Sequence, residues 1–240
     1  MQRIPEPELM TDDAQCQAYA AADFGASNQA FVEIVRGLLP ATATKVLDLG
    51  CGPGDVMIRL ARACPSLKLT AVDGSPAMIQ LAQQAIEECG LSMTISALQG
   101  YVPGLPLPVG HFDAVLSKDF LHHLPDPMSL WREIRRLIKP GGFICVMDLR
   151  RPDSSQAAQE IVETVTADEA EVLRIDFYNS LLAAYTPEEI REQLKAAALH
   201  LDVTLSGDRH MLITPVSSRG NETIVGCPAR RSPSRRSGIR

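Results

Sequence analysis

The clearest chemistry in the sequence lies in Val46-Leu47-Asp48-Leu49-Gly50-Cys51-Gly52-Pro53-Gly54-Asp55. Apolar, strand-forming residues end at Gly50 and a helix-forming run begins at Asp55, so the glycines sit where a strand passes into a helix. Glycine lets the backbone turn sharply and approach a ligand without a Cβ in the way. The spacing is G-x-G-x-G, one residue shorter than the G-x-G-x-x-G turn that seats a pyrophosphate on a helix N-terminus. Asp55 stands where that helix would begin and would repel a phosphate. Asp48, at the end of the strand, adds a second negative charge. The turn therefore suits a cationic or neutral ligand better than a dinucleotide.

A second acid fits the same ligand. Asp73 closes Ala71-Val72-Asp73-Gly74-Ser75, at the tip of the next strand. An acid there can accept both hydroxyls of a ribose. It could instead cap the helix starting near Ser75, but Ser75 can do that itself, so ribose binding is favoured.

Other polar residues are weaker candidates. Adjacent residues on an α-helix point about 100° apart, so His122 and His123 are not expected to share an ion. His111, His200 and His210 show no ligand spacing, and no metal site is expected. One of the histidine pair could serve as a general base for a hydroxyl acceptor. Lys118 and Asp119 could orient a substrate. Arg150 and Arg151 could hold an anion or be exposed loop charges. Phe177, Tyr178, Asn179 and Tyr185 are candidate substrate contacts, and Trp131 reads as core.

Alternating elements must position these groups. Strands are expected at 45–49, 68–72, 93–98, 114–117 and 143–148, with helices near 55–63, 75–89 and 128–138. Pro140-Gly141-Gly142 reads as a turn before the fifth strand. Strict β/α alternation implies right-handed crossovers and a parallel, doubly wound sheet. Residues 1–40 read as accessory helices, closed by Pro40. After Asp148 helices are expected over 154–171 and 174–184. A further helix should start at Thr186-Pro187-Glu188-Glu189, and two strands over 201–206 and 209–214 should be joined at Gly207-Asp208. The domain is thus expected over 41–216, with a helical insertion at about 153–185. A disordered basic tail is expected over 217–240.

Composition narrows the partners. The 240 residues carry a net charge of −6, yet the segment from Arg219 to Arg240 holds six arginines against one acid. The rest of the chain is strongly acidic, which disfavours general binding to a phosphate backbone. Six cysteines without a C-x-x-C pair read as reduced thiols of a cytoplasmic protein. No signal peptide or membrane span is expected, and the sequence leaves the oligomeric state open.

Taken together, these motifs resemble a class I methyltransferase of the small-molecule group called type 11 or 25. Residues 46–55 match its first motif and Asp73 its second. Phe112 to Ser117 followed by Leu121-His122-His123-Leu124-Pro125-Asp126-Pro127 match its fourth-strand segment, and Leu137 to Gly142 match the turn that follows. The resemblance implies a Rossmann-like seven-stranded, mostly parallel sheet with one antiparallel strand beside the fifth. It implies S-adenosyl-L-methionine as cofactor, a ligand with a sulfonium cation and no phosphate. By the same resemblance, Asp48, Gly50, Cys51, Gly52 and Gly54 lie under the methionine moiety. Asp73 holds the ribose, and Gly74 and Met78 flank the adenine. Gly100 and Tyr101 lie near the adenine amino group, where relatives usually carry an acid at the Tyr101 position. Ser117 sits near the transfer point and His122 lines the pocket. The implied activity is methyl transfer to a small molecule. The alternatives are a noncatalytic cofactor-binding regulator or scaffold, and an RNA or protein methyltransferase. No catalytic residue follows from the sequence.

Overall fold

The computed structural model describes residues 1–6, 13–22, 24–167 and 169–216. Its strands are Lys45–Leu49 (β1), Lys68–Asp73 (β2), Ile95–Gln99 (β3), Phe112–Lys118 (β4), Ile138–Leu149 (β5), Leu201–Ser206 (β6) and His210–Pro215 (β7). They form one sheet in the order β3-β2-β1-β4-β5-β7-β6. β1 to β5 pair in parallel. β7 runs antiparallel between β5 and β6, so six strands point one way and one the other. This is the expected α/β architecture, with the reversed strand beside the fifth.

The helices are Asp13–Ala21 (α1), Gly25–Leu38 (α2), Asp55–Ala63 (α3), Pro76–Glu88 (α4), Met128–Leu137 (α5), Ser155–Val165 (α6), Glu171–Ala183 (α7) and Pro187–Ala196 (α8). Successive strand residues face opposite sides of a sheet, and both faces are apolar here. Val46, Leu69, Ala71 and Cys145 pack against α2, α3 and α4 on one side. Leu47, Leu49, Val115 and Val146 pack against α5 and α8 on the other. Trp131 is fully buried in the second layer, with Nε1 donating to Gln193 Oε1 at 2.9 Å. A smaller cluster joins Leu149 to α6 and α7.

Local sequence sets the helix starts. Ser75 caps α4 by accepting from the Met78 amide at 3.3 Å, with Pro76 next. Thr186 and Glu189 form a reciprocal capping box at α8, with Pro187 in the first turn. α6 is shorter than expected, ending at Val165, and α7 begins early, at Glu171.

Pro140-Gly141-Gly142 corrects the sequence reading. It is not a turn ahead of the strand but a bulge inside β5. Phe112 pairs with Ile138 while Ala114 pairs with Phe143, so the intervening β5 residues loop out. Gly141 takes φ +73°, and a Cβ on Gly142 would lie 2.5 Å from Ile138 Cγ1. Among the described residues no helix is long and apolar enough to cross a membrane. The expected basic tail over 217–240 lies outside the described residues.

Candidate cofactor and acceptor site

Strand order reverses between β1 and β4, with β2 and β3 on one side and β5 on the other. A crevice forms at the carboxyl ends of parallel strands at such a point. Here it is a cavity of about 950 Å³. Its floor is the loop after β1, where Gly50, Gly52 and Gly54 all take left-handed φ values. The Gly50 and Cys51 amides donate to the Val72 carbonyl at 2.9 and 3.0 Å, fastening the loop to β2. A Cβ on Gly50 would lie 2.3 Å from Cγ of Phe120, so only glycine fits under that ring. A Cβ on Gly52 would meet nothing within 4 Å, because that side opens into the cavity.

Asp73 joins the loops after β1 and β2. Its Oδ2 accepts from the Gly52 amide and its Oδ1 from the Ser75 amide, both at 2.9 Å. A carboxylate has about four acceptor positions, so two remain for ribose hydroxyls on the cavity side. Asp73 therefore both shapes the loop and faces the ligand space.

Asp48 is 2% exposed, and its Oδ1 has no hydrogen-bond partner. Burial, reinforced by the Asp73 charge and partly offset by Lys118, pushes its pKa up to about 7. An orphaned acid aimed into a cavity suits a cationic ligand. Other charges there are already matched. Asp55 accepts from Arg59 Nε at 2.6 Å and from Asn28 Nδ2 at 2.9 Å, so its charge is paired rather than free to repel a phosphate. Lys118 is ion-paired to Asp119, whose other oxygen lies 3.3 Å from His210 Nε2. Burial pushes the Asp119 carboxyl up, but Lys118 and His210 hold it well below the ordinary carboxylate range. Burial raises the Cys51 thiol far above its usual value, which leaves it inert as a nucleophile. An acidic cavity with an open glycine and an unsatisfied carboxylate fits S-adenosylmethionine better than any phosphate-bearing cofactor.

The Asp48 shift has a measurable consequence. Without ligand, Asp48 is half protonated near pH 7. A bound cation favours the carboxylate, so binding releases a proton where Asp48 was neutral. Affinity for S-adenosylmethionine is expected to rise by up to about tenfold per pH unit below pH 7 and to level off above it. Calorimetry across this range in buffers of different ionisation enthalpy checks it, and Asp48→Asn should flatten the profile. Ligand-free stability should run the other way. The part due to neutral Asp48 is complete below the unfolded pKa of about 3.9 and is lost as pH rises through about 7.

The structure brings Asp48, Gly50, Cys51, Gly52, Asp73, Met78 and Tyr101 to the cavity wall. It places the other sequence candidates elsewhere. Gly54 packs under α4, where a Cβ would sit 3.2 Å from Ala82 Cβ. Gly74 turns its carbonyl toward the Gln99 amide at 3.4 Å. Gly100 makes room for Leu105, whose Cδ2 would lie 2.5 Å from a Cβ there. Ser117 is fully buried and donates to the Leu49 carbonyl at 2.8 Å. His122 is 2% exposed and held by Asp148, with Nδ1 2.7 Å from Oδ1; His123 is the histidine on the wall. Burial would lower the His122 pKa, but the Asp148 charge outweighs it and the value is raised.

The acceptor candidates divide in the same way. Asp119, Lys118 and Asn179 line the cavity. Arg151 is buried on the Ala184 carbonyl and Glu189, Arg150 donates to the Asp208 carbonyl, and neither lines the cavity. Tyr185 is buried under the Arg3 guanidinium, 4.2 Å from its ring centre. Phe177 and Tyr178 pack against the α6–α7 cluster.

Sequence reasoning missed the contribution of the N-terminal segments. Tyr19, Phe24, Asn28 and Glu6 all reach the cavity. Burial, with the nearby charges of Asp119 and Asp73, raises the Tyr19 phenol well above its usual value. The one available signal was the helical periodicity around Tyr19, which does not show which way that helix docks.

Comparison with known proteins agrees with this geometry. Residues 46–142 match the family described as Methyltransferase domain. The chain is 29% identical over 195 residues to a ubiquinone biosynthesis O-methyltransferase of Xylella fastidiosa, covering 77% of this chain and 72% of that one. It is 32% identical over 111 residues to a 2-phytyl-1,4-naphtoquinone methyltransferase of Synechococcus elongatus, covering 46% of this chain and 48% of that one. Several curated relatives are thus matched over about half of their length. An S-adenosylmethionine-dependent methyltransferase structure from Aquifex aeolicus superposes with a TM-score of 0.65 at 19% identity, covering 85% of this chain and 97% of that one. With the glycine turn, the two strand-tip acids and the reversed last strand in place, the chain is similar, in its fold and over residues 46–142, to the class I S-adenosylmethionine-dependent methyltransferases.

Proposed function

We propose that this chain transfers a methyl group from S-adenosylmethionine to a hydroxyl of a small quinone-like or phenolic acceptor. The observation that carries the proposal is one continuous cavity whose wall is of two kinds. Asp48, Gly52 and Asp73 supply a polar lining. Phe24, Phe120, Leu124 and Pro125 supply an apolar one, which suits a ring. At about 950 Å³ it lies near the top of the range for small-molecule sites, roughly 300–1,000 Å³, and so has room for both ligands. The named activities of the quinone O-methyltransferase relatives support this acceptor class. A scaffold reading would predict a blocked pocket beside Ser117 and Asp119; Asp119 lines the open cavity, while Ser117 is fully buried.

The cofactor supplies an electrophilic methyl carbon on a sulfonium, so the protein need not activate the donor. Asp48 and the Gly50–Gly52 loop would bind its charged end and Asp73 its ribose. The aromatic wall would hold an acceptor ring in line and exclude water. Six cysteines without a C-x-x-C pair in a chain of this size support a reducing compartment such as the cytoplasm.

The purified protein should bind S-adenosylhomocysteine and not NAD, as read by calorimetry. It should also carry label from methyl-labelled cofactor into a phenolic fraction of a metabolite extract. Tighter binding of NAD, or label transfer only into RNA or protein, would overturn the proposal.

A further inference from the structure

We propose that Glu6, His122 and His123 bind a zinc ion at the wall of the cavity. One ligand-capable atom from each of the three lies within 4.8 Å of the other two. Adjacent residues of a helical turn diverge, yet in the single 3-10 turn Leu121–His123 the two imidazoles come together, with ring centres 4.1 Å apart at 40°. The third group comes from the N-terminal segment.

The surroundings are those of a ligand set. His122 Nδ1 is held by Asp148 at 2.7 Å, which leaves Nε2 for a metal. Asp148 is fixed in turn, its Oδ2 accepting from the Phe120 and Leu121 amides at 3.0 and 2.8 Å. A carboxylate behind a histidine is the usual outer support of a zinc ligand, because it sets the tautomer and raises basicity. Glu6 Oε2 accepts from Ser180 Oγ at 3.1 Å. His123 Nδ1 lies 3.1 Å from Glu6 Oε2, yet it is buried and makes no aligned hydrogen bond. Two atoms bound to one tetrahedral zinc at about 2.1 Å stand about 3.4 Å apart. The Glu6–His123 separation is already close to that, and small side-chain rotations bring in the third.

Two histidines and a carboxylate select zinc over magnesium or calcium, which prefer all-oxygen sites. Three protein ligands leave a fourth position. Glu6 and His123 both line the cavity, so that position faces the acceptor space and could take an acceptor oxygen. The ion would also pin residues 1–6, which already lie along α7 through Ile4 on the Leu182 carbonyl and Arg3 on the Ala183 carbonyl.

Zinc binding is independent of the methyl-transfer reading and is measured without cofactor or acceptor. The full chain, stripped with a chelator, is titrated with zinc and with cobalt(II). One ion per chain at micromolar affinity is expected, with a rise in Tm. The cobalt spectrum should be that of a tetrahedral nitrogen–oxygen site with no thiolate band. Glu6→Gln, which keeps shape and removes charge, should weaken zinc binding at least about tenfold, as should His123→Ala. Near-UV circular dichroism verifies that each variant is folded. Absence of saturable binding, a thiolate band, or parental affinity in folded Glu6→Gln would each overturn the proposal.

Discussion

Asp73→Ala is expected to weaken S-adenosylhomocysteine binding at least about tenfold. Hydrogen bonds to a charged partner contribute roughly 1.5–3 kcal/mol each, and about 1.4 kcal/mol is a factor of ten. The substitution removes the acceptors proposed for the ribose. It also frees the Gly52 and Ser75 amides, which now end on the two carboxylate oxygens. Asp119→Ala should behave differently. Asp119 lines the cavity between Lys118 and His210 and is not among the residues proposed to hold cofactor, so its loss should lower turnover with much less effect on cofactor affinity. Calorimetry on both folded variants checks the contrast. Parental affinity in Asp73→Ala would remove the ribose assignment and, with it, the placement of cofactor across β1 and β2.

Asp148→Ala should be the most destabilising single change near the site. Asp148 is 1% exposed at the end of β5 and accepts from two amides and His122. Alanine would leave three buried donors without partners. Breaking a buried ionic contact from one side costs about 3–5 kcal/mol. At roughly 2–4 °C per kcal/mol for a domain of this size, Tm should fall by about 6–20 °C. Asp148→Asn keeps an acceptor oxygen and should lose less. Thermal unfolding of the three proteins measures the order, and an unchanged Tm in Asp148→Ala would show that the 3-10 turn needs no anchor.

The residues that could be read from sequence are those whose role is local. Gly52 and Asp73 flank strand ends, and strand ends in a β/α alternation have a known place. Thr186 and Glu189 announce a helix start within four residues of chain. The missed or misplaced residues depend on long-range docking. Ser117 was expected at the transfer point because it ends β4, but pleat alternation turns its hydroxyl back to the Leu49 carbonyl. His122 and His123 are neighbours, and only the docking of their turn shows that His122 is buried on Asp148 while His123 lies beside Glu6 at the cavity wall. Glu6 and Tyr19 reach the cavity from segments whose composition says nothing of their destination. Pro140-Gly141-Gly142 has the composition of a turn, and only the pairing of β4 with β5 shows that the strand continues through it.

The reversed strand bears on how the sheet is completed during synthesis. β5 presents an open edge as soon as it folds, and its partner arrives only after α6, α7, α8 and β6 have been made. Leu149 pairs with His210, and Val146 with Ile213. Until then the Val146–Leu149 backbone offers unpaired amides and carbonyls beside apolar side chains, which invites pairing with another chain. Among the described strands β6 bonds only to β7, so the last two strands close the edge as one hairpin, late and at large sequence separation, which slows folding. Chains released before Pro215 would lack that closure, and aggregation of such fragments would begin at the β5 edge.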